Sequence, residues 1–193
     1  MRVAFGLKAR TGRAVLVAVG GDAITPCFVE RAEIKLLPPG AFAPYHAAAE
    51  LARHEAHESV KRDITIAHEL AARGIREAMK PGYEVCGCAV LVGPGMPDWG
   101  TDEILAVHVR MHQAVGELFR GALVAGARAC ELPLTTLAEK SALDDAADRL
   151  GLTRARLDAR LAALGKSAGA PWGKDQKESA AAALVALRVA NLS

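Results

Sequence analysis

Three side chains that can ligate metals recur at four-residue spacing in the first long helical segment. His46, Glu50 and His54 stand at positions i, i+4 and i+8, which places them on one face of a helix. Imidazole and carboxylate groups in this arrangement could hold a metal such as zinc or manganese. The neighbouring sequence, RHEAHESVKRD, is rich in charge, so a solvated polar face is the alternative interpretation.

A second pair, His108 and His112, lies one turn apart on a helical segment with two apolar sides. That pattern predicts partial burial of the pair against a loop, another helix or a subunit. A pair of hydrogen-bonded histidines in the core would fit this pattern. The alternative is a polar site for a metal ion or a small molecule built from His46, Glu50, His108 and His112, which requires the two histidine-bearing helices to meet in space.

Basic side chains are concentrated at the start of the chain. Arg2, Lys8, Arg10 and Arg13 all precede the first acid, Asp22. This bias favours phosphate or an acidic partner for the first segment. The rest of the chain is close to charge balance, with a net charge of +2 for the whole protein.

The length and composition predict one domain spanning residues 1–193. A chain of 193 residues that is 51% hydrophobic can bury one full core. Aromatic residues make up only 4%, so the core must consist mainly of Ala, Val, Leu and Ile. No stretch approaches the roughly 20 apolar residues of a membrane span, and no secretory leader is visible, so we expect a cytoplasmic protein.

Five strands are predicted. Residues 2–21 alternate apolar runs around a Gly-containing turn and predict a β-hairpin. The other strands are residues 26–37, the near-continuous apolar run 83–93, which is typical of a central strand, and residues 132–137.

Helices are predicted over the remaining segments. One runs from about Pro44 to Met79, where Gly74 could bend or end it, and one from Thr101, as its cap, to about Cys130. The later helices are 136–150 with Thr136 and Glu139 at capping-box spacing, 153–164 with Gly165 as its stop, and the final segment QKESAAAALVALRVA.

The order of elements and three local motifs resemble the ribonuclease H-like superfamily, and within it the branch of the resolvase RuvC. The motifs are the opening RVAFGLKARTGRAVLVAVGG, the AEKS start of a helix, and the final Ala-rich helix opened by an acid. The resemblance extends over nearly the whole chain. It implies a mixed α/β fold: a five-stranded sheet, with three antiparallel strands first, and helices on both faces.

The resemblance also implies a carboxylate site that binds Mg²⁺ or Mn²⁺ and hydrolyses phosphodiesters. The matching acids are Asp175 and Glu178 at the last helix, with Asp98 after the fourth strand and Glu50 in the first helix as further candidates. Asp175 could instead act only as a helix-capping charge, worth about 0.3 to 1 kcal/mol.

One residue departs from the family pattern. Members that cut nucleic acid carry an aspartate where this chain has Lys8. Lys8 could form an ion pair with Asp175, hold a phosphate as a point charge, or be an exposed hairpin residue.

Two tryptophans lie in loops that border the site edge in such a fold. Trp99 follows the fourth strand, and Trp172 precedes the last helix beside Lys174 and Lys177. They could stack on bases, at about 1 to 3 kcal/mol per base, or seal loops over the core.

Two function classes follow. The first is a nuclease-related, nucleic-acid-associated domain, with DNA favoured over RNA, in which Lys8, Arg10 and Arg13 contact phosphate. The second is a catalytically inactive relative that keeps the fold for binding or assembly, and a homodimer is one candidate assembly. Walker, serine-hydrolase and H-E-x-x-H motifs are absent from the sequence.

Overall fold

We describe a computed structural model that covers residues 1–21, 25–41 and 43–191. A five-stranded sheet has the strand order β3-β2-β1-β4-β5. Strands β1, β2 and β3 are antiparallel neighbours, whereas β4 and β5 run parallel to β1. The strands are β1 (Arg2–Arg10), β2 (Arg13–Gly21), β3 (Pro26–Lys35), β4 (Glu84–Val92) and β5 (Leu134–Ala138). The predicted ribonuclease H-like sheet is thereby confirmed.

In the described ranges, seven α-helices cover the sheet on both faces. One layer contains α1 (Pro44–Ala49), α2 (Arg53–Ala78), α3 (Thr101–Leu105) and α4 (His108–Ala129). The other layer contains α5 (Ala142–Leu150), α6 (Arg154–Ala168) and α7 (Lys174–Ala190). Within the described residues, no helix is both long and apolar enough to cross a lipid bilayer.

Strand β1 divides its side chains between the two layers. Phe5 and Leu7 pack into the core beneath α2 and α4, whereas Ala4 packs beneath α7. Because successive strand residues point to opposite faces, Gly6 and Lys8 share the face of Ala4. The register of β1 therefore directs Lys8 toward the layer that contains α7.

Helix α7 packs unusually close to β1, and Gly6 makes this possible. A Cβ atom at position 6 would overlap the main-chain carbonyl oxygen of Ser179. The facing stretch of α7 is a run of small side chains, Ala180 to Ala183. This close approach brings the N-terminal turn of α7 alongside the end of β1.

Both long predicted helices are interrupted, which corrects the sequence prediction. Residues 44–79 form α1 and α2, because Ala52 adopts extended backbone. Residues 101–130 form α3 and α4, because Val107 is extended in the same way. Gly74 does not end α2, which continues to Ala78.

The predicted helix ends also need correction. Gly100, rather than Thr101, caps α3, and its N–H donates to the Glu103 carboxylate at 2.9 Å. Glu139 lies in a short 3₁₀ helix, residues 139–141, before α5. Helix α6 passes through Gly165 and ends at Ala168.

Candidate functional site

The centre of the candidate site is Lys8, near the end of β1. Its side chain is only 2% exposed. The Lys8 ammonium donates a hydrogen bond to the buried carboxylate of Glu178. It also lies 3.2 Å from Asp175 Oδ1 and 3.8 Å from Glu139 Oε1. An exposed hairpin lysine, one of the sequence-based alternatives, is therefore wrong, and the ion pair with Asp175 is present.

Asp175 is held from a second side by Arg10. The Arg10 guanidinium makes a two-pronged contact, with Nε 2.8 Å from Asp175 Oδ2. The hydrogen bond from Arg10, and after it the contact with Lys8, lower the pKa of Asp175 to about 2, although burial partly opposes the shift. In return, Asp175 raises the pKa of Arg10. Asp175 is therefore fully ionised at neutral pH.

The network continues through Glu139 to α4. Arg120 Nε donates to Glu139 Oε2 at 3.0 Å, and Arg120 also pairs with Glu117 at 3.0 Å. On the other side, Lys174 Nζ lies 3.7 Å from Glu178 Oε1. Four cations thus face four carboxylates: Lys8, Arg10, Arg120 and Lys174 against Glu117, Glu139, Asp175 and Glu178.

This arrangement does not fit the Mg²⁺ or Mn²⁺ that the sequence resemblance implies. A dication needs carboxylate oxygens free to coordinate it. The oxygens of Asp175 and Glu178 already accept hydrogen bonds from Arg10 and Lys8. Because the charges are already matched, a dication at this position would meet the Lys8 ammonium with no surplus negative charge to hold it.

The other predicted carboxylates lie outside the network. Glu50 ends α1 in the opposite helical layer and is exposed. Asp98 is exposed in the loop after β4. Within the described ranges, neither has an ion-pair partner. Arg13 is also separate, since it pairs with Glu33 on β3 at 2.7 Å.

The two tryptophans pack against opposite faces of the sheet rather than forming one stacking platform. Trp99 packs on the core beneath α2 and α4, with the Arg110 guanidinium 4.5 Å above its ring. Trp172 packs on the other core, edge-on to Phe28, and its Nε1 donates to the Leu161 carbonyl at 3.0 Å. Both indoles therefore have packing roles.

A basic pocket of about 450 Å³ lies beside the Lys8 network. Lys140, Lys174, Lys177 and Arg154 line it, together with Asp144 and Glu178. In the part of the chain that the structure describes, Lys140 and Lys177 have no carboxylate within ion-pair distance. Helices α5 and α7 both begin at this pocket, so their positive N-terminal ends add to its attraction for anions.

Histidines of α1 and α4 lie together, as the alternative of a shared polar site requires, but the set of residues differs from the predicted one. His46 on α1 and His108 and His112 on α4 bring their ligand nitrogens within 4.8 Å of one another. Glu50 is not a member. His54 lies on α2, so the predicted continuous face of His46, Glu50 and His54 is wrong.

Glu139 and Arg120 belong to the charged network but are not among the site residues predicted from the sequence. A usable indication existed for Glu139, because it directly follows β5. The carboxyl ends of parallel strands reach the same edge of a sheet, where sites collect. Arg120 lies within an amphipathic helix, and its spacing gave no indication of its partner.

The strand order and the helices on both faces define an α/β protein with a ribonuclease H-like fold. Among solved structures, the chain is similar to RuvC of Thermus thermophilus in complex with a Holliday junction substrate. The TM-score is 0.58 and the identity 12%, over 98% of this chain and 95% of that one.

A second structure of Thermus thermophilus RuvC gives a TM-score of 0.54 at 12% identity, over 98% of this chain and 96% of that one. No protein-family model matches the sequence, and no curated protein matches it. The likeness is therefore one of fold, and it confirms the RuvC-like fold that the sequence resemblance implies.

Proposed function

We propose that this protein is a RuvC-like DNA-binding protein that does not cut DNA at the site between β1 and α7. The observation that carries the proposal is the buried Lys8 ammonium among the carboxylates of Asp175, Glu178 and Glu139. Hydrolysis assisted by two metals requires those oxygens to bind dications and activate water. In this protein the same carboxylate oxygens bind the Lys8 ammonium, so they neither hold dications nor activate water.

The basic pocket supports the binding part of the proposal. Lys140 and Lys177 keep unmatched charges at the surface, and two helix N-termini converge there. Such a surface suits phosphate oxygens, which contribute most of the affinity of a protein for DNA. The structurally similar Thermus thermophilus RuvC was solved in complex with a Holliday junction substrate, so a branched DNA is the first ligand to test.

The first experiment measures DNA binding by fluorescence anisotropy with a labelled four-way junction, a duplex and a single strand. We expect saturable binding that weakens as salt rises, because phosphate contacts release counterions. The variant Lys140→Ala/Lys177→Ala should reduce the magnitude of the slope of log K against log salt by about 2.

The matched control is Lys61→Ala/Lys166→Ala, which removes two exposed lysines that do not line the pocket. Its salt slope should equal that of the wild type. Equal slopes for the two double variants would contradict the pocket assignment. No binding to any of the DNAs would overturn the DNA-binding proposal and favour a protein partner.

The second experiment incubates the same DNAs with Mg²⁺ or Mn²⁺ and looks for cleavage. We expect none. Cleavage that disappears in Asp175→Asn/Glu178→Gln would overturn the non-cutting proposal and restore the nuclease hypothesis for these residues.

We also infer that the protein forms a homodimer, as one of the sequence hypotheses holds. Three exposed apolar side chains lie just after α1 or at the start of α4: Leu51 is 44% exposed, Val107 36% and Val109 61%. Burying them against a second copy would remove their apolar surface from water. Sedimentation should give a dimer for the wild type and a monomer for Val109→Glu, and a monomeric wild type would contradict the inference.

A further inference from the structure

We propose that His46, His108 and His112 bind one Zn²⁺ ion at the contact between α1 and α4. This site is separate from the DNA-binding surface and does not depend on it. All three donors are imidazole nitrogens, and they come from two helices that are far apart in sequence.

The distances between the imidazole nitrogens fit one metal ion that is bound by all three histidines. Nε2 of His108 lies 3.0 Å from Nε2 of His112. The His46 ring centroid lies 5.1 Å from that of His108 and 4.6 Å from that of His112. A tetrahedral zinc site with Zn–N bonds of 2.0 to 2.1 Å places its nitrogens about 3.3 Å apart. Small side-chain rotations therefore suffice to close the three rings around one ion.

His46 supplies the observation that points to a ligand. Both of its ring nitrogens are shielded from solvent, and within the described residues neither has a hydrogen-bond partner. Shielded polar atoms without partners are rare in folded proteins, because nothing compensates for the lost hydration. A metal ion would satisfy one of these nitrogens directly.

His46 is also suited to bind a metal in its neutral form. Burial lowers the pKa of His46, and the nearby His112 and His108 lower it further. A neutral imidazole keeps the lone pair that a metal requires, whereas an imidazolium does not. Near neutral pH, His46 therefore does not have to lose a proton before it binds.

The donor set selects the class of metal. Imidazole suits zinc and its neighbours in the first transition row, whereas Mg²⁺ and Ca²⁺ prefer oxygen ligands. Three protein ligands leave a fourth tetrahedral position for water. His108 and His112 are exposed, and His112 also lines a pocket of about 210 Å³ with Arg10 and Glu139. Solvent can therefore reach this face of the cluster.

The test is calorimetric titration of Zn²⁺ into full-length protein without a histidine tag, after dialysis against a chelator. Cys27 carries an exposed thiol that could compete for zinc, so Cys27→Ser is the background for every variant. We expect one equivalent of zinc to bind and excess Mg²⁺ not to displace it. Co²⁺ in place of Zn²⁺ should give the intense visible bands of four-coordinate cobalt.

His112→Ala and His108→Ala change exposed residues and should fold normally, as circular dichroism can verify. Loss of a group that merely orients a ligand costs about 10 to 100-fold in metal affinity, so loss of a ligand should cost at least about 100-fold. His54→Ala is the matched control, since His54 is an exposed histidine outside the cluster. Absence of a one-to-one isotherm, or equal affinity in His112→Ala and His54→Ala, would overturn the proposal.

Discussion

The ammonium group of Lys8 donates a hydrogen bond to the carboxylate of Glu178, which lies 170 residues away in the sequence. Both side chains are buried, with Lys8 2% and Glu178 5% exposed. The pair is formed where β1 ends and α7 begins. It joins the two elements that, in a metal-dependent site of this fold, would have to supply ligands to the same ion.

The first prediction concerns the energy of this pair. Lys8→Met should destabilise the protein by about 3 to 5 kcal/mol, because a buried carboxylate is left without its main partner. Lys8→Met/Glu178→Met should recover most of that loss, because replacing both members of a buried pair by apolar groups is often neutral. Urea unfolding gives both values.

Arg13→Ala is the control for the first prediction, since the Arg13–Glu33 pair is exposed. It should change the free energy of unfolding by less than about 1 kcal/mol. A double variant as unstable as Lys8→Met would show that the packing of Glu178, rather than its charge, determines the loss.

The second prediction concerns acid stability. Hydrogen bonds from Arg10, the larger cause, and from Lys8 lower the pKa of Asp175 to about 2. A carboxyl group with a lowered folded-state pKa contributes stability that is fully present above its unfolded-state pKa, near 3.9, and is lost as the pH falls toward 2. The contribution is roughly 2 kcal/mol.

Asp175→Asn removes this titration, so the difference in unfolding free energy between wild type and variant should shrink as the pH falls from 5 to 2. The measurement is urea unfolding at several pH values. A difference that stays constant over this range would contradict the assignment of the ionised Asp175–Arg10 pair.

The fold could be predicted because the spacing of apolar residues along the sequence clearly distinguishes strands from helices. The alternation in residues 2–21 and the apolar run at 83–93 identify the strands that form the centre of the sheet. The helix interruptions are not predicted from the sequence because neither Ala52 nor Val107 is a Gly or Pro, the residues that usually mark a helix break.

The site could be predicted only in part. Their residue types indicate Lys8, Asp175 and Glu178 as site residues, and the four-residue spacing indicates His108 and His112. Their partners depend on tertiary contacts that no local pattern encodes. Glu139, for example, has capping-box spacing in the sequence, whereas its carboxylate pairs with Arg120 at 3.0 Å.

The third prediction tests the close contact that positions the site. Gly6→Ala should destabilise the protein by at least about 1 to 3 kcal/mol, because the new methyl group would overlap the main chain at Ser179. Gly121→Ala is the control, since a Cβ atom there meets nothing within 4 Å. It should leave stability unchanged or raise it by up to about 1 kcal/mol, because alanine favours the helix. Thermal unfolding of both variants is the measurement, and equal midpoints would refute the close packing of α7 on β1.

The fourth prediction reverses the charge at the centre of the site. Lys8→Asp should lower the stability of the metal-free protein, because it places a fourth carboxylate beside those of Asp175, Glu178 and Glu139. Mg²⁺ should restore that stability, since a ligand that binds only the folded state stabilises it increasingly as its concentration rises above Kd. The wild type should show no such response, because Lys8 already neutralises these carboxylates.

Mg²⁺ is the right probe for this variant, because the imidazoles of the histidine cluster do not favour it. Lys8→Asn is the matched control: it removes the ammonium without adding a negatively charged ligand, so it should be destabilised and gain little from Mg²⁺. The readout is the thermal unfolding midpoint with and without Mg²⁺. An equal Mg²⁺ response in wild type and Lys8→Asp would mean that the lysine does not exclude the metal, and Lys8 could then not account for the proposed lack of DNA cleavage.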